Sequence, residues 1–395
     1  MYKRSDYKTI IDRMNEPRKL IQVVMGPRQI GKTTVVKQAL QDIDKPYLFF
    51  TADNVPATHT SWISDCWQSA RVSLKTQNIN EIIIVIDEIQ KISNWSSAVK
   101  KEWDFDTFND LNIKVILLGS SRVMLEKGLA ESMMGRFEEI RMTHWSFTEM
   151  KEAFGFNLEQ YIYFGGYPGA AHLIDNQDRW EQYINSSIID ATINKDILID
   201  TPISKPALLR QTFELGAAYS ANILSLTKML GSLQDAGNTV TLSGYINLLN
   251  DSGLITGLQK YSMDLSRRKA SIPKFQVYNN ALKNVYSDLK FPEIMSRPEK
   301  WGYVFESAVG AHIINYAFKE RYNVYYWREG NHEVDFVISK KNSVAAIEVK
   351  SNSEATNTGL QEFDKKFHPK TSLVIGRNGL PAEDFFKINP VDLLK

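Results

Sequence analysis

The chain has little that would set it apart from ordinary globular proteins. Its 395 residues include one cysteine, Cys66, which excludes an internal disulfide and favours a reducing compartment. Lysine plus arginine (47) nearly equals aspartate plus glutamate (46), so the formal net charge is only +1. A protein devoted as a whole to nucleic acid would carry a strong positive field, which this composition excludes, although local basic patches remain open.

Long apolar segments are also lacking. No run approaches the roughly 18 apolar residues of a membrane span, and the N-terminal sequence MYKRSDYKTI has no apolar signal-peptide core. We therefore expect a cytoplasmic location and no membrane partner. The sequence has no internal repeat, and 43% hydrophobic with 24% charged residues is typical of globular domains, of which this length allows two or three.

A glycine-rich stretch, GPRQIGKTT at residues 26–34, follows the apolar run LIQVVM. Its spacing fits G-x-x-x-x-G-K-[ST], in which backbone N–H groups wrap phosphates, the lysine reaches the β and γ groups, and the hydroxyl lies on Mg²⁺. The flanking sequences predict a buried strand and a helix whose N-terminus faces the anion. A surface turn that matches by chance is the alternative. The nucleotide-binding residues predicted here are Gly26, Pro27, Arg28, Gln29, Ile30, Gly31, Lys32, Thr33 and Thr34.

A second buried strand is predicted where the aliphatic residues 82–86 run into Asp87 and Glu88. Asp87 is expected to hold the Mg²⁺ shell together with Thr33, and Glu88 to orient the water that attacks the γ-phosphate. Lys32 and Glu88 are therefore the predicted catalytic residues of a nucleotide site with Mg²⁺. Two solvated acids at a strand end are the alternative, which the order of the two motifs disfavours.

Two other polar residues are candidates for the same site. Ser120 follows the predicted strand 113–118 and could bond the γ-phosphate or the attacking water, although many strand ends carry serines. Arg136 follows a glycine and could stabilise transition-state charge in its own chain or in a neighbouring subunit. A solvated surface arginine is the equal alternative for Arg136.

Three segments are predicted along the chain. In residues 1–150, strands at 20–25, 46–50, 82–86 and 113–118 alternate with helices, which predicts a parallel sheet with helices on both faces. Residues 151–290 are predicted to hold helices and then a two-stranded ribbon, like a winged helix, with the basic sequence SRRKA at its tip. Residues 291–395 are predicted to form a small α/β domain.

A hairpin in the last segment brings a second set of polar residues together. A four-residue loop between the strands EVDFVI and VAAIEVK pairs Ser339 with Val344 and hence Asp335 with Glu348. Because side chains alternate along a strand, Asp335, Glu348 and Lys350 are expected to share one face. The residues expected on the opposite face are Val334, Phe336, Ile347 and Val349.

Carboxylates in this arrangement are suited to a hard divalent cation, with Asp335 and Glu348 as the ligands. Lys350 could then position or activate water for attack on a phosphodiester, so these three residues are the candidate catalytic group of a nuclease. Glu306, in the helical sequence FESAVGAHI, is a candidate fourth member. A cross-strand cluster in which Lys350 only neutralises its neighbours is the alternative.

The sequences GPRQIGKTT, IIIVIDE, FGGYPGA and VDF with IEVK together resemble a family of prokaryotic AAA-type P-loop ATPases. Its members carry a C-terminal domain of unknown function that is similar to the PD-(D/E)xK restriction-endonuclease fold. The resemblance implies ATP as the nucleotide, a winged-helix-like middle region, and Asp335, Glu348 and Lys350 at nuclease-like positions. In this chain Val334 stands where the motif has proline.

Two functions follow as hypotheses. In the first, ATP hydrolysis serves a protein that nicks or binds DNA through its C-terminal domain. In the second, the nucleotide state changes the packing of the C-terminal domains, and a protein partner reads that change. A third interpretation is that the C-terminal fold only mediates oligomerisation.

Overall fold

The computed structural model describes residues 1–119, 128–129, 132–198, 201–233, 237–351 and 358–395. The chain divides into two compact units, Met1–Met142 and Thr143–Lys395. This division lies near the predicted boundary at 150, whereas the boundary predicted at 290 falls inside the second unit. Each unit has its own sheet.

Five parallel strands form the sheet of the first unit: β1 (Ile21–Met25), β2 (Tyr47–Thr51), β3 (Ile82–Asp87), β4 (Ile113–Gly119) and β5 (Phe137–Arg141). Their order is β2-β3-β4-β1-β5. The four strands predicted from the sequence are confirmed, because β1 to β4 begin and end within about one residue of the expected positions. Every residue of β1, β3 and β4 is buried, as expected for central strands of a covered parallel sheet.

Helices flank this sheet: α1 (Asp6–Asn15), α2 (Lys32–Gln41), α3 (Trp62–Thr76) and α4 (Trp95–Phe108). A buried ion network joins α3 to α4. Arg71 lies 2.6 Å from Glu102 and 2.7 Å from Asp106, and the indole N–H of Trp67 donates to Asp106 at 2.9 Å. The first unit is therefore a mixed α/β fold with a parallel sheet flanked by helices.

The second unit begins with helices. The helices predicted in the first part of residues 151–290 are confirmed, and two segments among them, Ile184–Asp190 and Thr192–Ile197, are wound as π-helix. The α-helices are α5 (Phe147–Phe154), α6 (Leu158–Phe164), α7 (Gln177–Tyr183), α8 (Pro206–Ala218), α9 (Leu226–Ser232), α10 (Thr239–Asp251), α11 (Leu265–Lys269), α12 (Ala281–Asn284), α13 (Phe291–Met295), α14 (Pro298–Glu320), α15 (Thr358–Phe367) and α16 (Ala382–Phe385).

Six strands form the sheet of the second unit: β6 (Ile255–Lys260), β7 (Lys274–Val277), β8 (Asn323–Glu329), β9 (His332–Lys340), β10 (Ser343–Lys350) and β11 (Thr371–Gly376). Their order is β11-β10-β9-β8-β6-β7. β8, β9 and β10 form an antiparallel meander, and β11 lies parallel to β10 after the crossover through α15.

The predicted ribbon is present, but it is part of a larger sheet. β6 and β7 pair in antiparallel fashion, and β6 also pairs in parallel with β8, so the sheet continues across the predicted boundary at 290. The basic sequence SRRKA, expected as a wing tip, lies largely in the short helix α11. Asp264 caps this helix by accepting hydrogen bonds from the backbone N–H groups of Ser266 and Arg267, which explains why a helix forms there.

The hairpin of β9 and β10 has the predicted register, with Ser339 opposite Val344. The ladder extends one pair further than expected, to Lys340 and Ser343, so the loop has two residues rather than four. Lys341 adopts the left-handed conformation (φ 54°) that tight hairpin turns of this kind use.

A bulge in β9 changes the expected distribution of side chains. Tyr325 pairs with Val337 and Trp327 with Val334, so two residues of β9, Asp335 and Phe336, lie opposite a single residue of β8. Val334 packs in an apolar cluster with Trp327 and α15. Both Asp335 and the Phe336 ring instead lie near Lys274, so the expectation that Phe336 faces away from Asp335 is wrong.

The helix α14 covers the other face of this sheet. Its residue Gly310 lies directly against Phe336 and against Gln276 of β7. In the same helix, His312 is buried against Phe385 and Phe386, and its Nε2 lies 3.1 Å from the carbonyl oxygen of Ile388. Within the described ranges, every helix is too short or too polar to cross a membrane.

Candidate functional site

The glycine-rich loop begins where β1 ends, at the edge of the sheet that the carboxyl ends of all five strands share. Gly26 is required there because a Cβ atom on it would lie 2.2 Å from the carbonyl oxygen of Met142. Gly31 has a left-handed conformation (φ 88°) and is the N-cap residue of α2. The backbone thus turns directly from β1 into the N-terminus of α2, which favours an anion.

Lys32 is the first residue of α2, and its side chain is buried. Its Nζ donates to the carbonyl oxygens of Gly26 and Pro27, each at 2.8 Å. The ammonium therefore lies inside the curve of the loop, where a bound phosphate chain would meet it. The structure places the rest of the predicted loop set around this turn: Arg28, Gln29, Ile30, Gly31, Thr33 and Thr34.

Thr33 and Asp87 connect the two sequence motifs. The hydroxyl of Thr33 donates to Asp87 Oδ2 at 2.7 Å, and Asp87 Oδ1 accepts the backbone N–H of Glu88 at 3.0 Å. Burial raises the pKa of the Asp87 carboxyl above its usual range, and the bond from Thr33 opposes that rise. A hydroxyl and a carboxylate in direct contact at this edge form a pair of oxygen ligands that suits Mg²⁺.

Glu88 is held in place by its own backbone and by a neighbour. It adopts the left-handed conformation (φ 55°), which is uncommon for a glutamate. Its Oε2 accepts a hydrogen bond from Gln90 Nε2 at 2.5 Å, and Gln90 is buried. The sequence did not point to Gln90, because an amide two residues beyond the acidic pair has no motif of its own.

The remaining two candidates of this site differ in outcome. Ser120 lies outside the described residues. Arg136 precedes β5, and its carbonyl oxygen accepts the N–H of Ile21, the first residue of β1. Arg136 is thus at the amino end of the strands. The length of β1, about 16 Å, separates this end from the glycine-rich loop. Its guanidinium forms two bonds to Asp104, at 2.7 and 3.0 Å. Action on a nucleotide in the same chain does not fit this position; action on a neighbouring subunit remains a prediction.

The second candidate site lies in the second unit, where the residues predicted at the hairpin are found close together. Asp335 Oδ2 accepts the backbone N–H of Val349 at 2.8 Å, which ties β9 to β10 beyond the last ladder pair. Lys350 Nζ lies 2.6 Å from Glu348 Oε1. The charges of Glu348, Asp335 and Glu306 all act to raise the pKa of Lys350. The four predicted residues therefore form one cluster.

Lys274, at the start of β7, is a member of this cluster that the sequence did not indicate. Its side chain is only 1% exposed, and its Nζ lies 2.7 Å from Glu306 Oε1, 3.5 Å from Asp335 Oδ1 and 4.0 Å from Glu333 Oε1. In β7 the apolar Phe275 and Val277 alternate with Lys274 and Gln276, a pattern that usually places the polar residues in solvent. Here the helix α14 covers them.

Two carboxyl groups of the cluster, those of Glu306 and Glu348, are difficult to ionise. Burial raises the pKa of Glu306 and of Glu348 well above the usual range, and the charge of Asp335 raises both further. Glu348 Oε2 is buried, and no hydrogen-bond partner for it is found among the described residues. These oxygen donors suit a hard cation, although no group of three or more His, Cys, Asp or Glu side chains within the described ranges is arranged to hold one.

A groove of about 860 Å³ lies beside this cluster. Its lining includes four basic side chains and two acidic ones: Lys260, Arg267, Arg328, Lys366, Asp264 and Glu329. The side chain of Arg267 is 83% exposed. Glu333 joins groove and cluster, because its carboxylate lies 3.8 Å from Arg328 Nε and 4.0 Å from Lys274 Nζ.

Comparison with known proteins gives two distant relatives. An uncharacterized protein of Methanocaldococcus jannaschii is 22% identical over 342 residues, which cover 82% of this chain and 73% of the relative. An uncharacterized protein of Haemophilus influenzae is 22% identical over 390 residues, which cover 90% of this chain and 92% of the relative. Among solved structures, Saccharomyces cerevisiae RIF2 aligns with 46% of this chain and 70% of its own, at 14% identity and a TM-score of 0.28, a value too low to support any conclusion about the fold.

Family comparison divides the chain into three matched regions. Residues 155–293 match a domain of unknown function (DUF8612), and residues 301–394 match another (DUF4143). Residues 18–151, which contain the glycine-rich loop, Asp87 and Glu88, match the AAA domain. Nucleotide binding is what an AAA domain implies, and the sheet and loop described above are consistent with it. The N-terminal part of this chain thus has the features of the AAA-type P-loop ATPase family.

Proposed function

We propose that the first unit hydrolyses ATP with Mg²⁺. The observation that carries this proposal is the 2.7 Å hydrogen bond between Thr33 and Asp87, which joins the phosphate-binding loop to the acidic end of β3. Binding at a helix N-terminus, a buried lysine and an adjacent pair of oxygen ligands are the components that phosphoryl transfer requires. The match to the AAA domain supports the same conclusion.

Each residue has a distinct role in this proposal. The N–H groups of the loop, from Gly26 to Thr34, bind the phosphates, and Lys32 neutralises the β and γ groups. Thr33 and Asp87 would hold Mg²⁺, which when bound offsets the charge that develops on the γ-phosphate. Glu88 orients and polarises the attacking water, and Gln90 fixes the direction of its carboxylate.

The direct test is nucleotide binding and hydrolysis by the purified full-length protein. We expect Lys32→Ala to abolish ATP binding and Glu88→Gln to retain binding while hydrolysis stops. The pair of variants separates binding from chemistry, because the two residues lie at different parts of the site. Normal turnover by either variant would refute this assignment.

A second function is supported by the cluster in the second unit. We infer that this cluster belongs to a nuclease-like site, in which Asp335 and Glu348 hold a divalent cation and Lys350 positions water for attack on a phosphodiester. The adjoining groove, with four basic side chains against two acidic ones, fits the phosphate backbone of DNA. ATP hydrolysis in the first unit would then serve a reaction on DNA.

This second function is tested on DNA by two independent measurements. Nicking in Mg²⁺ or Mn²⁺ should disappear in Lys350→Ala. Binding of DNA should weaken steeply as salt rises, because phosphate contacts release counterions, and should fall in Arg267→Ala/Arg328→Ala. The matched control is Lys75→Ala/Lys101→Ala, which removes two exposed charges of the first unit. Hydrolysis indifferent to DNA, without nicks, would instead favour a nucleotide switch that a protein partner reads.

A further inference from the structure

Lys274 occupies the centre of the carboxylate cluster, although it lies outside the D…ExK sequence. Its Nζ bonds Glu306 Oε1 at 2.7 Å and lies 3.5 Å from Asp335 Oδ1 and 3.3 Å from the carbonyl oxygen of Asp335. The same ammonium lies 4.9 Å from the centre of the Phe336 ring. A cation so placed is fixed by several contacts and shielded from water.

The carboxylate oxygens of Asp335 and Glu348 differ in their hydrogen-bond and ion-pair partners. Asp335 has one oxygen on the N–H of Val349 and the other facing Lys274. Glu348 has Oε1 on Lys350, whereas its buried Oε2 finds no partner among the described residues. A buried carboxylate oxygen without a donor is costly, so this atom marks a position where the cluster is open to another positive group.

The charges of the cluster also indicate that it could accept another positive group. Three carboxylates, of Glu306, Asp335 and Glu348, face two ammonium groups, of Lys274 and Lys350. If all five are ionised, one negative charge is left over in a largely buried space. A divalent cation at Glu348 Oε2 would need Asp335 as its second carboxylate, and Asp335 already faces Lys274.

We propose that Lys274 is the internal counter-ion of this cluster and competes with a divalent cation for Asp335. Lys274 holds Glu306 and Asp335 together when no metal is bound. It also lowers the affinity of the site formed by Glu348 Oε2 and Asp335 for a divalent cation. Lys274 is thus a positioning residue that sets metal affinity. The inference rests on the proposed nuclease-like site, since the same carboxylates are involved, but it concerns binding and not cleavage.

The test measures Mn²⁺ binding by the nucleotide-free, full-length protein. Binding is detected as a decrease in the electron paramagnetic resonance signal of free Mn²⁺. Binding that Glu348→Gln lacks is assigned to the cluster, which separates it from any binding near Thr33 and Asp87. We expect Lys274→Met to bind Mn²⁺ about tenfold tighter or more, because a positive charge a few ångströms from the metal is removed. The matched control is Lys283→Met. It removes a partly buried lysine whose charge also acts on Glu306, but whose Nζ donates to the carbonyl oxygens of Ser220 and Tyr303 and not to a carboxylate of the cluster.

A second variant keeps the test decisive if Lys274→Met does not fold without metal. Glu306→Gln leaves Lys274 with Asp335 as its close carboxylate, so Mn²⁺ affinity should fall below that of the wild type. Thermal unfolding gives an independent readout, since Mn²⁺ should raise the melting temperature of Lys274→Met more than that of the wild type.

The outcomes are distinct. Equal or weaker Mn²⁺ binding by Lys274→Met, or an equal gain in Lys283→Met, would overturn the competition, and so would absence of binding in every variant. Tighter binding by Lys274→Met without any nicking of DNA would support the competition and refute the nuclease proposal alone.

Discussion

The hydroxyl of Thr33 donates a hydrogen bond to Asp87 Oδ2 at 2.7 Å, although the two residues are 54 positions apart in the chain. Thr33 lies in the first turn of α2, which follows β1, whereas Asp87 ends β3, and β4 lies between these two strands in the sheet. The contact exists because all these strands are parallel and present their carboxyl ends together. It brings together the hydroxyl and the carboxylate that are proposed to hold Mg²⁺.

Loss of the Thr33 hydroxyl should therefore impair hydrolysis through Mg²⁺. We expect Thr33→Ala to lower the rate of ATP hydrolysis by about tenfold to a hundredfold and to raise the Mg²⁺ concentration at half-maximal rate. Thr33→Ser keeps the hydroxyl and should restore most of the activity. Equal Mg²⁺ dependence in wild type and Thr33→Ala, measured at saturating ATP, would be incompatible with this role.

Gln90 should affect the chemical step without affecting nucleotide affinity. Its amide donates to Glu88 Oε2 at 2.5 Å, so Gln90→Leu removes one donor from the carboxylate that is proposed to orient water. We expect kcat to fall about tenfold while the dissociation constant for ATP stays within about twofold. A parallel loss of affinity and rate would show that Gln90 supports the loop as a whole and not Glu88 alone.

Arg136 should have little influence on hydrolysis within one chain. It lies at the end of the sheet away from the loop and is paired with Asp104. Arg136→Ala should leave the rate per molecule unchanged at low protein concentration, and the loss of stability should be below about 1 kcal/mol, since the pair is partly exposed. If the rate of the wild type rises with protein concentration and that of Arg136→Ala does not, the arginine acts on a neighbouring subunit.

The sequence predicts much of the fold because its strongest signals are local. Continuous aliphatic runs fix β1, β3 and β4, and the alternation of EVDFVI and VAAIEVK fixes the register of the hairpin up to Phe336 and Ile347. The bulge at Asp335 and Phe336 could not be predicted in the same way. It is a property of the pairing between β8 and β9, and neither strand alone shows where the extra residue is accommodated.

The candidate sites show the same limit. The spacing of the two N-terminal motifs is enough to predict the roles of Lys32, Thr33, Asp87 and Glu88. Lys274 is contributed by a strand about 60 residues before the hairpin, and its place in the cluster depends on the pairing of β6 with β8 and on the cover that α14 provides. Contacts of this kind arise from tertiary structure and leave no periodic signal in the sequence.

Arg71 should be important for the stability of the first unit. It is buried between Glu102 and Asp106, whose carboxylates would be left without their cation in Arg71→Met. We expect a loss of about 3–5 kcal/mol in the free energy of unfolding, measured with urea. Arg13→Ala, which breaks exposed contacts with Glu16 and Glu138, is the matched control and should cost less than about 1 kcal/mol.

His312 should make the second unit sensitive to mild acid. Burial lowers the pKa of His312 to about 4, and its Nε2 hydrogen faces a carbonyl oxygen that can only accept. The unfolded chain binds a proton at this residue near pH 6.5, whereas the folded chain does so only near pH 4. The neutral His312 therefore does not reduce the free energy of unfolding above pH 6.5. As the pH falls from 6.5 toward 4, the free energy of unfolding decreases by up to about 3 kcal/mol because the unfolded chain binds the proton first.

Other acidic groups also titrate in this range, so the prediction concerns the difference between variants. His312→Phe cannot bind a proton there, and its free energy of unfolding should depend less on pH between 6.5 and 4 than that of the wild type. His172→Gln removes an exposed histidine of the same unit and should keep the wild-type dependence. The free energies of unfolding of His312→Phe and of the wild type, measured with urea, could instead depend on pH in parallel across this range. His312 would then be protonated in the folded protein, and the prediction of a buried neutral ring would be wrong.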